Sequence, residues 1–223
     1  ANDAIGLAEL KAATDGNIIS FDASGNPVYI ATGNDGQVLT SAGAGAQPAF
    51  EALPGGGGWS LVSTTVEDGT DGITSYQSLA ATNDYRIVIR KMVMSDNAKM
   101  YLTIGTGGTP TYASDNYKFQ FTRASATTVS CNGNDSSQAN IQLDYSMYSS
   151  VRYGYIDILD LGNSGCHTHT YSMIQGRTGG SGVEVMDICA GSLETVQADN
   201  AIKLTASAGT FTGEFAFFSR PNT

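Results

Sequence analysis

Residues Asp15 to Phe50 carry one motif written twice, and that duplication restricts the folds open to the chain more than any other feature. Asp15-Gly16-Asn17-Ile18-Ile19-Ser20, then Ser24-Gly25-Asn26-Pro27-Val28-Tyr29, is answered by Asp35-Gly36-Gln37-Val38-Leu39-Thr40, then Ala44-Gly45-Ala46-Gln47-Pro48-Ala49-Phe50. Each copy gives Asp-Gly, an amide, two aliphatics, a hydroxyl, a glycine turn, proline, a small apolar residue and an aromatic, and one extra residue precedes the second proline. Each reads as strand, turn, strand. Repeats of about twenty residues build elongated structures, but about three or more must stack to bury a continuous face. The copies stop at two. Ile18, Ile19, Phe21, Val28, Tyr29, Val38, Leu39 and Phe50 are therefore expected to form the apolar surface of a β-rich, intertwined shaft that sister chains complete. A Gly/Ala/Ser linker without fixed structure is the alternative that the composition allows.

Pro54 followed by Gly55-Gly56-Gly57-Gly58 is the clearest boundary, because proline stops a strand and consecutive glycines support regular structure only at high entropic cost. The expected organisation is residues 1–54 as an attachment and shaft segment, 55–58 as a linker, and 59–223 as a separate domain. Ala4 to Ala13 is the one stretch with helical character, with Asn2 or Asp3 placed to cap it. From Trp59 onward the chain reads as short strands between turn clusters. The strands are expected at Trp59–Thr65, Ile73–Leu79, Tyr85–Met94, Met100–Ile104, Tyr117–Thr122, Thr127–Cys131, Asn140–Asp144, Val151–Leu159, Thr168–Ile174, Val183–Cys189, Ala201–Ala206 and Thr212–Phe218. Asn132-Gly133 is read as one of the turns. Period-2 alternation, as in Tyr85, Ile87, Ile89 against Arg86, Val88, Arg90, predicts two packed antiparallel sheets. The fold class is all-β.

The segment from Ala13 to Leu53, ATDGNIISFDASGNPVYIATGNDGQVLTSAGAGAQPAFEAL, resembles the connector of bacteriophage tail fibres and other virion appendages, chiefly through its GxxGQVLTSxGAGxxPxF block. The order of features from Trp59 to Pro221, including SYQSLAATNDYRIVIRKMVMSD, YLTIGTGG, RYGYIDILDLGN and GTFTGEFAFFSR, is similar to a jelly-roll-like C-terminal domain of phage tail proteins. The resemblance implies a homotrimer in the virion, assembled in the host cytoplasm, whose N-terminal region meets other virion structural proteins.

Composition excludes several classes. With eleven Lys and Arg and a formal charge of -10, the chain is poorly suited to neutralising phosphates, so no nucleic-acid partner is expected. No apolar run approaches the ~18 residues of a membrane span, and Ala1-Asn2-Asp3 does not read as a basic-then-apolar leader, so neither a span nor a secretory signal is expected. Cys131, Cys166 and Cys189 lack metal-like spacing and read as reduced structural thiols, with a single bridge as the alternative. No cofactor is expected.

Three constellations could carry chemistry. His167 and His169 lie two apart, so on an extended backbone they face one side and could chelate one ion; three such pairs on a trimer axis would offer six imidazoles, similar to the metal-bearing tips of some tail fibres. Polysaccharide cleavage would need two convergent carboxylates. Asp157 with Asp160, and Glu184 with Asp187, have opposite parity and do not converge within a strand. The chain is therefore read as non-enzymatic, a depolymerase being the rival. Tyrosines suit sugar and protein contact, and Tyr145, Tyr148 and Tyr153, interleaved with Ser146, Ser149 and Ser150, form the expected receptor-binding set. Tyr85, Tyr101 and Tyr155 are expected to pack. The reading is a structural virion protein, a trimeric fibre whose outer sandwich binds a host-surface glycan or protein, or else a head fibre or capsid decoration protein that binds the shell.

Overall fold

The computed structural model describes residues 12–52, 58–144, 150–177 and 182–222. Two compact units are present, Ala1–Gly56 and Gly57–Thr223. No helix occurs among the described residues, and most of the expected helical stretch Ala4 to Ala13 lies outside them, as does most of the glycine linker.

In the first unit the duplicated motif folds as two antiparallel hairpins, β1 (Ile18–Phe21) with β2 (Pro27–Ile30), and β3 (Gln37–Thr40) with β4 (Ala49–Ala52). Equivalent residues take equivalent places: Ile19 is opposite Tyr29 and Leu39 is opposite Phe50, one aliphatic-aromatic pair per copy. Each Asp-Gly closes a turn before its first strand, through Asn17 N–H to Thr14 O at 3.2 Å and Gln37 N–H to Asn34 O at 3.1 Å. The repeated glycines are explained by backbone conformation. Gly16 and Gly36 have φ of +80° and +82°, and Gly25 and Gly45 both have +81°, values that cost a side chain about 1 kcal/mol or more.

Burial separates the units. Among the described residues of the first, only Ile30 is buried; Ile18, Ile19, Phe21, Tyr29 and Leu39 are 38–62% exposed, and Val28, Val38 and Phe50 are half-covered. One buried side chain contributes about 1.5–3 kcal/mol, whereas ordering each residue's backbone costs about 1–2 kcal/mol. Burial within one chain therefore falls far short of what these hairpins need.

The second unit is a sandwich of two antiparallel sheets. Its strands are β5 (Ser60–Asp68), β6 (Ile73–Tyr76), β7 (Asn83–Met94), β8 (Met100–Thr106), β9 (Thr111–Tyr112), β10 (Tyr117–Ser125), β11 (Thr128–Gln138), β12 (Ile141–Gln142), β13 (Arg152–Leu159), β14 (Thr168–Arg177), β15 (Glu184–Leu193), β16 (Ala201–Ala206) and β17 (Phe211–Pro221). The long sheet has the order β11-β10-β15-β14-β13-β7-β17-β5, and the short one β12-β8-β16-β6 with β9 beside β8. Each expected strand is present, all but β11 within a few residues of its expected bounds. Two expectations are corrected: β9 was not anticipated, and Asn132-Gly133 is no turn but the middle of β11, because the chain reverses at Ala126, whose φ is +49°.

Alternation places Tyr85, Ile87 and Ile89 of β7, Ile156 and Ile158 of β13, and Phe215 and Phe217 of β17 in the core, against Leu102, Ile104, Ile202 and Leu204 of the short sheet. Phe217 stacks between Tyr76 and Tyr85 with centroids 4.1 and 5.3 Å away. Specific polar bonds pin the sheets together. Tyr117 of β10 accepts from Ile104 N–H of β8 at 2.7 Å, and burial raises its phenol pKa. The buried Cys189 thiol of β15 donates to Gln142 O of β12 at 3.2 Å, and burial pushes its pKa up to about 12. Cys131 and Cys166 are free and exposed, so of the three expected structural thiols only Cys189 lies in the core.

An ionic cluster lies at one place in the interior. Arg152 and Asp144 are fully buried and paired at 3.2 Å; Asp144 accepts from Met100 N–H at 2.6 Å, and Arg152 donates to Ala98 O at 2.9 Å. Beside them Arg123 grips the buried Asp187 with two bonds of 2.8 Å. Desolvation outweighs the attraction of Arg152 and pushes the Asp144 carboxyl up to about 6. Breaking a buried pair strands a charge, whereas replacing both partners does not. Arg152→Met is expected to destabilise the sandwich by about 3–5 kcal/mol in urea unfolding, with Asp144→Leu/Arg152→Met recovering most of that loss.

Candidate functional site

The residues of the long sheet that point away from the core make up its outer face. The strand register carries one row straight across it: Thr64, Ala216, Val88, Tyr155, Met173, Ile188, Thr122 and Cys131 are successive cross-strand partners. The neighbouring row reads Leu61, Phe218, Arg86, Asp157, Tyr171, Ala190, Gln120 and Gly133. The face thus passes from an apolar, aromatic region around β17, β7 and β13 to a polar region at β10 and β11.

Arg86 organises the first region. Its guanidinium meets Asp157 through Nε and Nη2 at 2.5 and 2.7 Å and lies 4.7 Å from the ring centroids of both Trp59 and Tyr155. The bond to Asp157 raises the Arg86 pKa further above its usual value. Arg220 covers Trp59 at 4.7 Å and pairs with Asp84 at 3.0 Å. Trp59, Arg86 and Tyr155 therefore form a stacked ladder held by ion pairs, a rigid arrangement with little side-chain entropy left to lose on contact.

A groove of about 330 Å³ opens in the polar region, lined among others by Lys118, Gln120, Asn134, Asp135, His169 and Ser192. An adjoining one of about 380 Å³ shares Gln120, Asn134 and Asp135 and continues along β11 past Asn132 and Cys131. Ser192 Oγ donates to Glu194 at 2.5 Å, a bond that lowers the Glu194 pKa, and Lys118 stands 3.4 Å from the same carboxylate. The Tyr171 ring, 38% exposed, sits on the strand residue opposite Ala190, which lines the groove. Short amides, a carboxylate and a hydroxyl supply donors and acceptors for vicinal hydroxyls, and an exposed ring beside them supplies a stacking surface.

The expected site residues are distributed differently. Tyr145 and Tyr148 lie outside the described residues. Tyr153 is on the outer face, 44% exposed, and is opposite Gln175, away from the groove lining. Tyr85 is buried, while Tyr155 belongs to the ladder on the outer face. His167 and His169 have ring centroids 6.4 Å apart, and among the described residues no group of three or more His, Cys, Asp or Glu could hold a metal. Asp157 is engaged by Arg86, Asp160 lies past the end of β13 at φ +58°, and Glu184 and Asp187 take opposite sides of β15. Sequence reasoning missed Asn134 and Asp135 because reading Asn132-Gly133 as a turn ended the strand that carries them, and it missed Gln120 of the expected strand Tyr117–Thr122 because the groove beside it appears only once β11 and β15 flank that strand. No protein-family model matches the chain, and neither a curated protein nor a solved structure shows significant similarity to it.

Removing the ring beside the groove tests its chemistry. Were a glycan array to return an oligosaccharide ligand, Tyr171→Ala is expected to weaken its affinity about 5- to 30-fold in titration, the usual loss of an aromatic anchor, with an unchanged unfolding midpoint.

Proposed function

We propose that the chain is a structural virion protein, a trimeric bacteriophage fibre whose hairpin unit associates with its copies and whose outer sandwich binds a host-surface glycan. The single observation behind this reading is the exposure of Ile18, Ile19, Phe21, Tyr29 and Leu39 on hairpins with one buried residue. Such a segment acquires a core only when other chains supply it, and three strand-rich copies wound together are the simplest closed arrangement. A groove of about 350 Å³ among Tyr29, Ile30, Thr32, Gln37, Pro48 and Phe50 offers a place for an apolar side chain of a neighbour.

The sandwich supports the same reading through its strand order. Setting aside β9 and the inserted strands β10, β11, β14 and β15, the first, eighth, third and sixth strands form one sheet and the second, seventh, fourth and fifth the other. That interleaving corresponds to a jelly roll of two Greek keys. Receptor contact is assigned to the groove at β10 and β11, where three copies would multiply a weak single-site affinity by about 10²–10⁴ when the sites can be engaged together. In this reading the chain catalyses nothing; it anchors and recognises.

Light scattering on the full chain is expected to give about three times its 23.2 kDa mass. Leu39→Asp with Phe50→Asp should lower that mass towards a single chain while the sandwich still unfolds cooperatively. A wild-type chain that stays monomeric at micromolar concentration overturns the proposal.

A further inference from the structure

We infer that the outer face of the long sheet, from Trp59 across Val88 and Tyr155 to Ile188, is a second interface between copies of this chain, so that the sandwich as well as the hairpin unit takes part in assembly. The inference rests on the trimeric reading above and adds to it a surface that the repeat did not indicate. Its occupant is another sandwich of the same sequence.

Three observations point to a copy. The first is composition. Val88, Tyr155, Met173 and Ile188, each half-buried, follow one another across four neighbouring strands without a charge between them, and Trp59, Arg86 and Tyr155 stack alongside. Trp, Tyr and Arg are the residues that dominate binding energy at protein interfaces, and their geometry here is fixed before any partner arrives. The six strands from β5 to β15, at about 4.8 Å apart, span about 24 Å, and a band about 20 Å wide across them covers roughly 480 Å², less than the ~800 Å² per partner of a stable interface, so this face adds to the hairpin association rather than holding two chains by itself and leaves β10 and β11 open.

The second is charge. The chain carries -10 and its copies repel one another at long range. On this face four cations, Arg86, Arg90, Lys91 and Arg220, stand against three carboxylates, Asp84, Asp157 and Glu214, so it is close to neutral. Arg86, Arg90 and Arg220 already have carboxylate partners within the same chain. A self-satisfied face makes no demand for an oppositely charged ligand, and it is the place where two chains of this sequence meet at least electrostatic cost.

The third is the tether. Only residues 53–57 separate Ala52 at the end of β4 from Gly58 and Trp59, a reach of about 20 Å at most for six peptide steps. Chains that associate through their hairpins hold their Trp59 residues near one another, at an effective concentration in the millimolar range or above. A face with weak intrinsic self-affinity is then occupied.

Trp59 is the chain's only tryptophan and reports on this face directly. Acrylamide quenching is compared in full-length wild type, Val88→Glu, Thr64→Arg and the control Val196→Glu, with light scattering on each sample. Thr64 and Val196 are exposed, so those variants keep the fold even where Val88→Glu does not. Expected is a trimeric mass throughout, with quenching at least about threefold greater in the Val88→Glu and Thr64→Arg trimers than in wild type and the control. Trimers whose Trp59 is quenched equally in all four overturn this inference and leave the trimeric reading standing. A monomeric wild type overturns both.

Discussion

Apolar area without a place to go is the constraint on which the rest of this structure depends. The duplicated motif sets an aliphatic residue against an aromatic one in each hairpin, Ile19 with Tyr29 and Leu39 with Phe50, yet leaves both pairs partly open to water. The sandwich shows the opposite balance, with aromatic and aliphatic side chains from both sheets closed over one another. One chain thus joins a domain that can bury its own core to a segment that cannot. In the proposed assembly, association with copies is how the second part would satisfy the same physics as the first.

The sandwich interior is specified by polar contacts as much as by apolar ones. Tyr117, Cys189, Asp144 and Arg152 each bridge from one sheet or strand to a particular backbone group on another, so a sheet shifted by one residue would leave a phenol, a thiol and two charges unsatisfied. Burying the Arg152–Asp144 pair gains little net stability, because desolvation of two ions nearly cancels their attraction. Its effect is on register. A fixed register in turn determines which side chains line up on the outer face, where the ladder joins Trp59, Arg86 and Tyr155, and the groove joins Gln120, Asn134 and Asp135 of the β10–β11 hairpin to His169 of β14 and Ser192 of β15.

Much of this was legible from the residues. Asp-Gly and the Gly-x-Pro turns marked both hairpins because left-handed φ at Gly16, Gly25, Gly36 and Gly45 excludes most other residues. Alternation in β7, β13 and β17 separated the core face from the outer one. The inward side of Arg152 was also legible in principle, since it shares parity with Ile156 and Ile158, but a lone arginine at a strand start looks like a solvated one. Strand order was not legible. Pairing of β10 with β15, or of β7 with both β13 and β17, is a long-range choice decided by which faces fit, and no local propensity encodes it. Groove and ladder depend on that order, so their residues could be named only once the sheet was assembled.

The central claim is that sister chains supply the missing core of residues 18–52, and amide hydrogen exchange across a dilution series tests it most directly. The account predicts that amides of β1 to β4 are protected at high chain concentration and lose protection on dilution, while those of β7, β13 and β17 stay protected throughout. Protection of β1 to β4 that does not change with concentration, or that is absent even in concentrated solution, would contradict it.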